Sequence, residues 1–283
     1  MWPHEIDLGL FSVSSYGLMV SIGILLGLLL LKVTAPLAGA AAKNAFDLAF
    51  WLIIIGLFGS RAAYILTHLD LFSNRKMEML MYWRGGLMFQ GGLIAGMALA
   101  AALALKGRIR LLVMADTILP CLALGQAIGR IGCFLAGCCF GFPVASTFPF
   151  GVIFPPNSLA PSAIALYPTQ LMESLGLFLI TIILLIVLAK LRRRTAGLVA
   201  SLYLILTGAL RFYIDFYRAD FRGHKILGIP PTSWMAIFLV LSGFFLALHL
   251  YRKNKRTNRL AKILLPVASP SGDPTSGTSP GQD

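Results

Sequence analysis

Apolar residues in this chain neither alternate with polar ones, as on a half-buried strand, nor recur every three or four positions, as on a surface helix. They run on in long stretches, at about 12–31, 45–66, 86–105, 111–128, 169–189, 197–217 and 232–250. A helix of about 20 apolar residues crosses roughly 30 Å of hydrocarbon. The pattern therefore predicts an all-α integral membrane protein of about seven transmembrane helices. The fourth stretch is the most interrupted, by Asp116, Pro120 and Gln126.

The polar segments between these stretches set the expected orientation. Lys and Arg gather after the first stretch (Lys32, Lys43), the third (Lys106, Arg108, Arg110), the fifth (Lys190, Arg192, Arg193, Arg194) and the seventh (Arg252 to Lys262). Basic residues favour the cytoplasmic side of short loops. This places the N-terminus outside and the C-terminus inside. The stretch "MWPHEIDLGLF" lacks the basic residues of a signal peptide, so the first span is expected to stay as a helix. Two outer loops are expected. Residues 67–85 carry Met, Tyr and Trp suited to the headgroup zone. Residues 129–168 are apolar and proline-rich, and either lie at the lipid interface, cover a site, or pack on the helix ends. The expected organisation is a single transmembrane catalytic domain over 1–252, a basic cytoplasmic segment over 253–265, and a Pro/Ser/Gly-rich disordered tail over 266–283.

Composition agrees with a membrane chain: 58% of residues are hydrophobic and only 12% charged, with a mean hydropathy of +0.82. The net charge of +13 follows from the topology signal and suits anionic lipid headgroups. It calls for no nucleic acid partner. The four histidines are scattered, and Cys121, Cys133, Cys138 and Cys139 do not follow a zinc-ligand spacing. Small apolar packing and a Cys133–Cys138 or Cys133–Cys139 disulfide on an oxidising face both fit these cysteines. Nothing in the sequence supports a hydrolase triad, a nucleotide loop or a metal cluster.

Polar residues inside the apolar stretches are therefore the informative ones. A charge at the centre of a spanning helix costs roughly 2.5–3.5 kcal/mol on insertion scales, so it faces a cavity or a partner. Arg61, Asp116, Glu173, Arg211 and Asp215 are such residues, with Arg130 and Arg218 near an edge. In "RFYIDFYR", Arg211, Asp215 and Arg218 fall on one helical face. One carboxylate between two guanidiniums leaves a positive surplus that suits a phosphate, since guanidinium binds phosphate through paired hydrogen bonds. An internal salt bridge that orients the span is the structural alternative. Arg130 lies among Gly129, Gly132, Gly137 and Gly141, and either holds an anion or snorkels to the interface. Arg61 and Asp116 sit at depths that allow structural pairing. Gln90, in "GLMFQGGLIAG", either bonds across helices or faces a substrate.

In order along the chain, "SSYGLM", "WRGGLMFQGGLIAG", "GRIGCFLAGCCFG", "YPTQLMES" and "RFYIDFYR" resemble the prolipoprotein diacylglyceryl transferases over roughly residues 10–250. The family's GR-x-G-N-F-x-N-x-E-x-x-G signature maps onto Gly129, Arg130, Gly132, Phe134 and Gly141. Its asparagines are replaced by Cys133 and Ala136, and its glutamate by Cys138. The family's histidine is Gln90 here, the glutamate of R-F-x-x-E-F-x-R is Asp215, and Gln170 and Glu173 are kept. The resemblance implies a multi-pass enzyme of the bacterial inner membrane, its active site toward the outer face. Such an enzyme moves a diacylglyceryl group from phosphatidylglycerol to the lipobox cysteine thiol of a prolipoprotein signal peptide, without metal or nucleotide. It makes Arg130, Arg211, Gln90 and Tyr16 the expected catalytic residues. Gly91, Gly92, Gly129, Gly141, Asp215 and Arg218 are the expected substrate contacts. A lipid-binding relative with altered transfer, and a transporter of an anionic metabolite, remain the alternative readings.

Overall fold

The computed structural model describes residues 5–7, 12–72, 76–80, 86, 88–156, 158–191, 196–219 and 230–264. The expected tail at 266–283 and much of the 67–85 loop lie outside the described residues. The chain is a helical bundle with a short hairpin ahead of it. Strands β1 (Glu5–Asp7) and β2 (Ser12–Ser14) pair antiparallel, Ile6 opposite Val13. The helices are α1 (Ser15–Ala38), α2 (Ala42–Thr67), the single turn α3 (Leu69–Phe72), α4 (Phe89–Leu105), α5 (Leu111–Ala136), α6 (Thr169–Leu191), α7 (Leu198–Asp215) and α8 (Pro231–Leu264). Six of them are long and apolar enough to cross a membrane, and α4 is a shorter apolar helix.

Without a hydrophobic gain from leaving lipid, helices in a membrane associate through close packing of small residues. Gly23 and Gly27 of α1 lie against the α5 backbone. A Cβ on Gly23 would come 2.9 Å from the Gly125 carbonyl oxygen, and one on Gly27 would come 3.1 Å from that of Cys121. Cys121 is buried there, its sulfur 3.4 Å from the Thr34 hydroxyl. It packs as a small residue, and all four cysteines are free thiols. The same logic joins α2 to α4: a Cβ on Gly92 would lie 2.7 Å from the Gly56 carbonyl oxygen.

Helix α5 differs from its expected extent. It continues eight residues beyond 128, carrying Arg130 and Cys133 within the helix, with Pro120 accommodated inside it. The polar residues that interrupt its sequence are answered by other helices. Asp116 accepts hydrogen bonds from the backbone N–H groups of Gly197 (2.7 Å) and Ala200 (2.8 Å), capping the start of α7. Gln126 accepts one from the Tyr203 hydroxyl at 3.0 Å. Asp116 is thus a cap for α7. Its depth-matched neighbour in the sequence, Arg61, donates instead to the backbone carbonyls of Glu78, Met79 and Gly86. Arg61 holds the loop after α2 in place, with the Tyr64 and Phe72 rings beside its guanidinium.

The expected outer loop therefore begins after Ala136. Part of it packs on itself: Phe154, Ala160 and Leu166 are buried and pack with Phe134, Phe140 and Val152 into a small core, while Phe142, Phe150, Ile153 and Leu159 stay exposed. Paired backbone at Val152 and Leu166, and at Pro143 and Leu166, closes it over the end of α5.

Candidate active site at one end of the bundle

The ends of α5 and α7 and the start of α6 bring three arginines to one carboxylate. Arg130 of α5 meets Glu173 of α6 at 2.8 Å, and Arg211 of α7 meets it at 3.4 Å. Arg218, just beyond α7, reaches 4.0 Å from the same group. Arg211 also pairs with Asp215 at 3.2 Å, and Asp215 accepts a hydrogen bond from the Ser233 hydroxyl of α8 at 3.0 Å. Among the described residues the cluster holds three guanidiniums and two carboxylates. Arg130, Glu173 and Arg211 lie one to two turns inside their helix ends, about 6–9 Å along the axis. The Glu173 side chain is 8% exposed while those of Arg130 and Arg211 are 23% and 22% exposed. The acid is the buried floor, and the cations are accessible above it.

The turn after α5 completes the site. Gly137 takes a left-handed conformation, φ +71°, and the Cys138 N–H bonds back to the Cys133 carbonyl at 3.1 Å. This helix-ending motif sets the residue after the glycine against the one five positions earlier. Here those two residues are Cys138 and Cys133. Cys139 is itself left-handed, φ +60°, a conformation worth about 1–3 kcal/mol of strain in a non-glycine residue at a functional site. The sulfurs of Cys133, Cys138 and Cys139 all lie within 4.8 Å of one another. Hydrogen bonds from Cys133 and Cys138, followed by the charges of Arg218 and Arg130, hold the Cys139 thiol well below the usual thiol range. Hydrogen bonding with Cys133, then with Cys139, and burial push the Cys138 thiol well above it.

Helix α6 clasps this turn from the other side. The Thr169 hydroxyl donates to the Cys139 carbonyl (2.8 Å), and the Gln170 amide donates to that of Cys138 (2.7 Å). Gln170 is 1% exposed, and its side-chain oxygen has no hydrogen-bond partner among the described residues.

The structure assembles several of the expected residues and separates others. Arg130, Arg211, Asp215 and Arg218 come together. Arg218 arrives by a different route from the expected helical face, because α7 ends at Asp215. Gly141 pairs with Arg218 in an antiparallel bridge instead, and the Phe142 N–H bonds to the Tyr217 carbonyl at 2.9 Å. Gly141 has a packing reason to be glycine: a Cβ there would lie 2.6 Å from the Tyr217 carbonyl oxygen. Beside Gly129 the space is open, next to Arg130. Tyr16 is 45% exposed in the first turn of α1, packs against Gly132, and lies within electrostatic range of Arg130 and the three thiols.

Gln90 is exposed in the first turn of α4, a helix that packs chiefly on α2, and it makes no hydrogen bond to the arginines among the described residues. Gly91 and Gly92 face the α2 backbone at Gly59 and Gly56, so the space before them is filled by protein. Glu173 is the residue whose central role the sequence did not single out. Its signal was present, an acid inside an apolar span, but its three partners come from other segments.

This is a polytopic membrane protein whose buried polar cluster sits at one end of the bundle, with three arginines and two acids among the described residues. Residues 3–249 match the sequence model of a family described as prolipoprotein diacylglyceryl transferase. The chain is 34% identical over 248 residues to phosphatidylglycerol–prolipoprotein diacylglyceryl transferase 2 of Clostridium perfringens, covering 87% of this chain and 93% of that protein. It is 33% identical over 245 residues to the phosphatidylglycerol–prolipoprotein diacylglyceryl transferase of Clostridium tetani, covering 87% and 96%. The like-named protein of Nitrosospira multiformis is 32% identical over 260 residues, covering 88% and 86%. The chain belongs to the prolipoprotein diacylglyceryl transferase family.

Proposed function

We propose that this protein transfers the diacylglyceryl group of phosphatidylglycerol to the lipobox cysteine thiol of prolipoprotein signal peptides, at the outer face of a bacterial inner membrane. The observation that carries the reading is the meeting of Arg130, Arg211 and Arg218 at Glu173. The attacking thiolate forms a C–S bond to the glyceryl carbon that bears the phosphate ester. The C–O bond to that phosphate breaks, and glycerol phosphate departs with the electron pair. Negative charge therefore grows on the leaving phosphate. Fixed cations aimed at it stabilise the transition state most where water is scarce.

Arg130 and Arg211 bind the lipid phosphate and stabilise its departure. Glu173 and Asp215 hold the two guanidiniums in position, which lowers the ordering cost when lipid arrives. Arg218 extends the cation surface toward the loop. Tyr16 and the open flank at Gly129 border the approach of headgroup and peptide. Gln90, lacking a useful pKa, serves as a hydrogen-bonding group if it contacts peptide, since an amide cannot act as a general base. The helix ends that carry the site face outward when the N-terminus is outside, an orientation supported by the basic residues at the opposite ends.

The test is direct. Membranes carrying this protein, phosphatidylglycerol and a lipobox peptide should yield peptide heavier by one diacylglyceryl group; phosphatidylcholine in its place should not. A folded preparation that forms no adduct would defeat the proposal and favour a lipid-binding relative without transfer. Cys133, Ala136 and Cys138, standing where the family signature has Asn, Asn and Glu, are the reason to keep that outcome in view.

A further inference from the structure

The three clustered thiols have no part in the arginine chemistry, and their arrangement is that of a ligand set. We infer that Cys133, Cys138 and Cys139 bind one thiophilic d10 cation of the zinc type, with a fourth coordination position open to the acceptor thiol. The cation site stands on its own geometry; its use in transfer rests on the function proposed above.

Zinc–sulfur bonds of about 2.3 Å place tetrahedral thiolates about 3.8 Å apart. All three sulfurs already lie within 4.8 Å of one another, so small side-chain rotations close the set. The backbone is fixed in advance. The helix-ending turn brings Cys138 to Cys133, the left-handed Cys139 turns back toward both, and Thr169 and Gln170 hold the turn's carbonyls from α6. Cys133 is buried, while Cys138 and Cys139 are half-buried, which leaves a side for entry. Three thiolates around a divalent ion carry one net negative charge, and the Arg130 and Arg218 guanidiniums act electrostatically on this turn. Three protein ligands with a vacant fourth position are the pattern of a catalytic zinc site, not of a closed structural one.

The open position has a chemical use. The reaction needs a thiolate, and Gln90 cannot take the proton. A thiol that coordinates such a cation is deprotonated outright. The acceptor sulfur would lose its proton to water on binding, form the C–S bond to the glyceryl carbon, and leave the cation as a neutral thioether. Glycerol phosphate carries away the negative charge. The cluster then supplies by coordination what a histidine base would supply by proton transfer.

The experiment uses the full chain purified in phosphatidylglycerol-containing nanodiscs, with zinc measured by mass spectrometry and cobalt(II) as an optical probe. We expect one zinc per chain in wild type and in Cys121→Ser, whose thiol lies away from the cluster, and none in C133S, C138S and C139S combined. Cobalt-loaded wild type should show sulfur-to-cobalt charge-transfer absorption that strengthens with a lipobox peptide but not with its Cys-to-Ser analogue. Stripping zinc should slow adduct formation about tenfold or more, and zinc should restore it. Zinc content no higher in wild type than in the triple variant, or a disulfide among the three cysteines, would overturn the site. An unchanged transfer rate after stripping would overturn its role while leaving the transferase reading intact. Zinc bound with no adduct in any preparation would support the site and defeat the transferase reading.

Discussion

Charged residues inside an apolar chain are legible because lipid makes each one costly, but the sequence does not say what answers the cost. Arg130 and Arg211 could be marked from their position as charges in need of a partner, with an anion, the interface or an internal salt bridge left open as the answer. Glu173 could be marked only as an intramembrane acid, because its partners lie on α5 and α7 and beyond. Arg61 and Asp116 match in depth, yet each is satisfied by backbone, from a loop and from a helix start respectively. The three cysteines fall within seven residues of sequence, but only the left-handed residues 137 and 139 turn their sulfurs into one cluster. At this scale the account makes a sharp prediction for Glu173. Glu173→Gln keeps the shape but removes the charge that collects Arg130 and Arg211. Transfer should fall by about 10–100-fold through lost positioning of the arginines, measured as the rate of peptide adduct formation in membranes. A rate equal to wild type would remove Glu173 from the account.

Elements were readable wherever the apolar run was long, and their ends were not. The pattern placed the seven long helices among the described residues, since nothing but a helix satisfies its own backbone in hydrocarbon. It stopped α5 at 128, whereas α1 packs on Gly132 and Glu173 answers the Arg130 charge, so the helix runs on to Ala136. It carried α7 too far, because periodicity alone cannot show that the chain leaves the helix at Asp215 to pair with Gly141. Asp116 links two elements in a way no local pattern encodes. Its carboxylate satisfies two backbone donors at the start of α7. Asp116→Ala should therefore destabilise the bundle by about 1–3 kcal/mol, the cost of leaving buried donors unmet. A lowered thermal midpoint in detergent would register it, and an unshifted midpoint would show that the cap contributes little.

At the scale of the whole molecule, four helices bring Tyr16, Arg130, Glu173 and Arg211 to one end, while Asp116 caps α7 at the other. The start of α1, the end of α5, the start of α6 and the end of α7 contribute Tyr16, Arg130, Glu173 and Arg211 respectively. The antiparallel order of the bundle is what permits this, and that order was legible from the alternation of apolar runs and basic loops. The loop over 137–168, read from sequence as an interfacial strip, a cover or a loop packed on the helix ends, has a small core that includes Phe134 of α5, and its Leu159 N–H bonds to the Ala136 carbonyl at the end of α5. The central claim is that these guanidiniums stabilise a departing lipid phosphate. It is tested most directly by the transfer rate from phosphatidylglycerol to a lipobox peptide in Arg130→Ala and Arg211→Ala, each expressed and folded as wild type. The account predicts a loss of about 10²–10³-fold in each, the scale of removing one preorganised donor from a transition state. Full activity in either variant would contradict it.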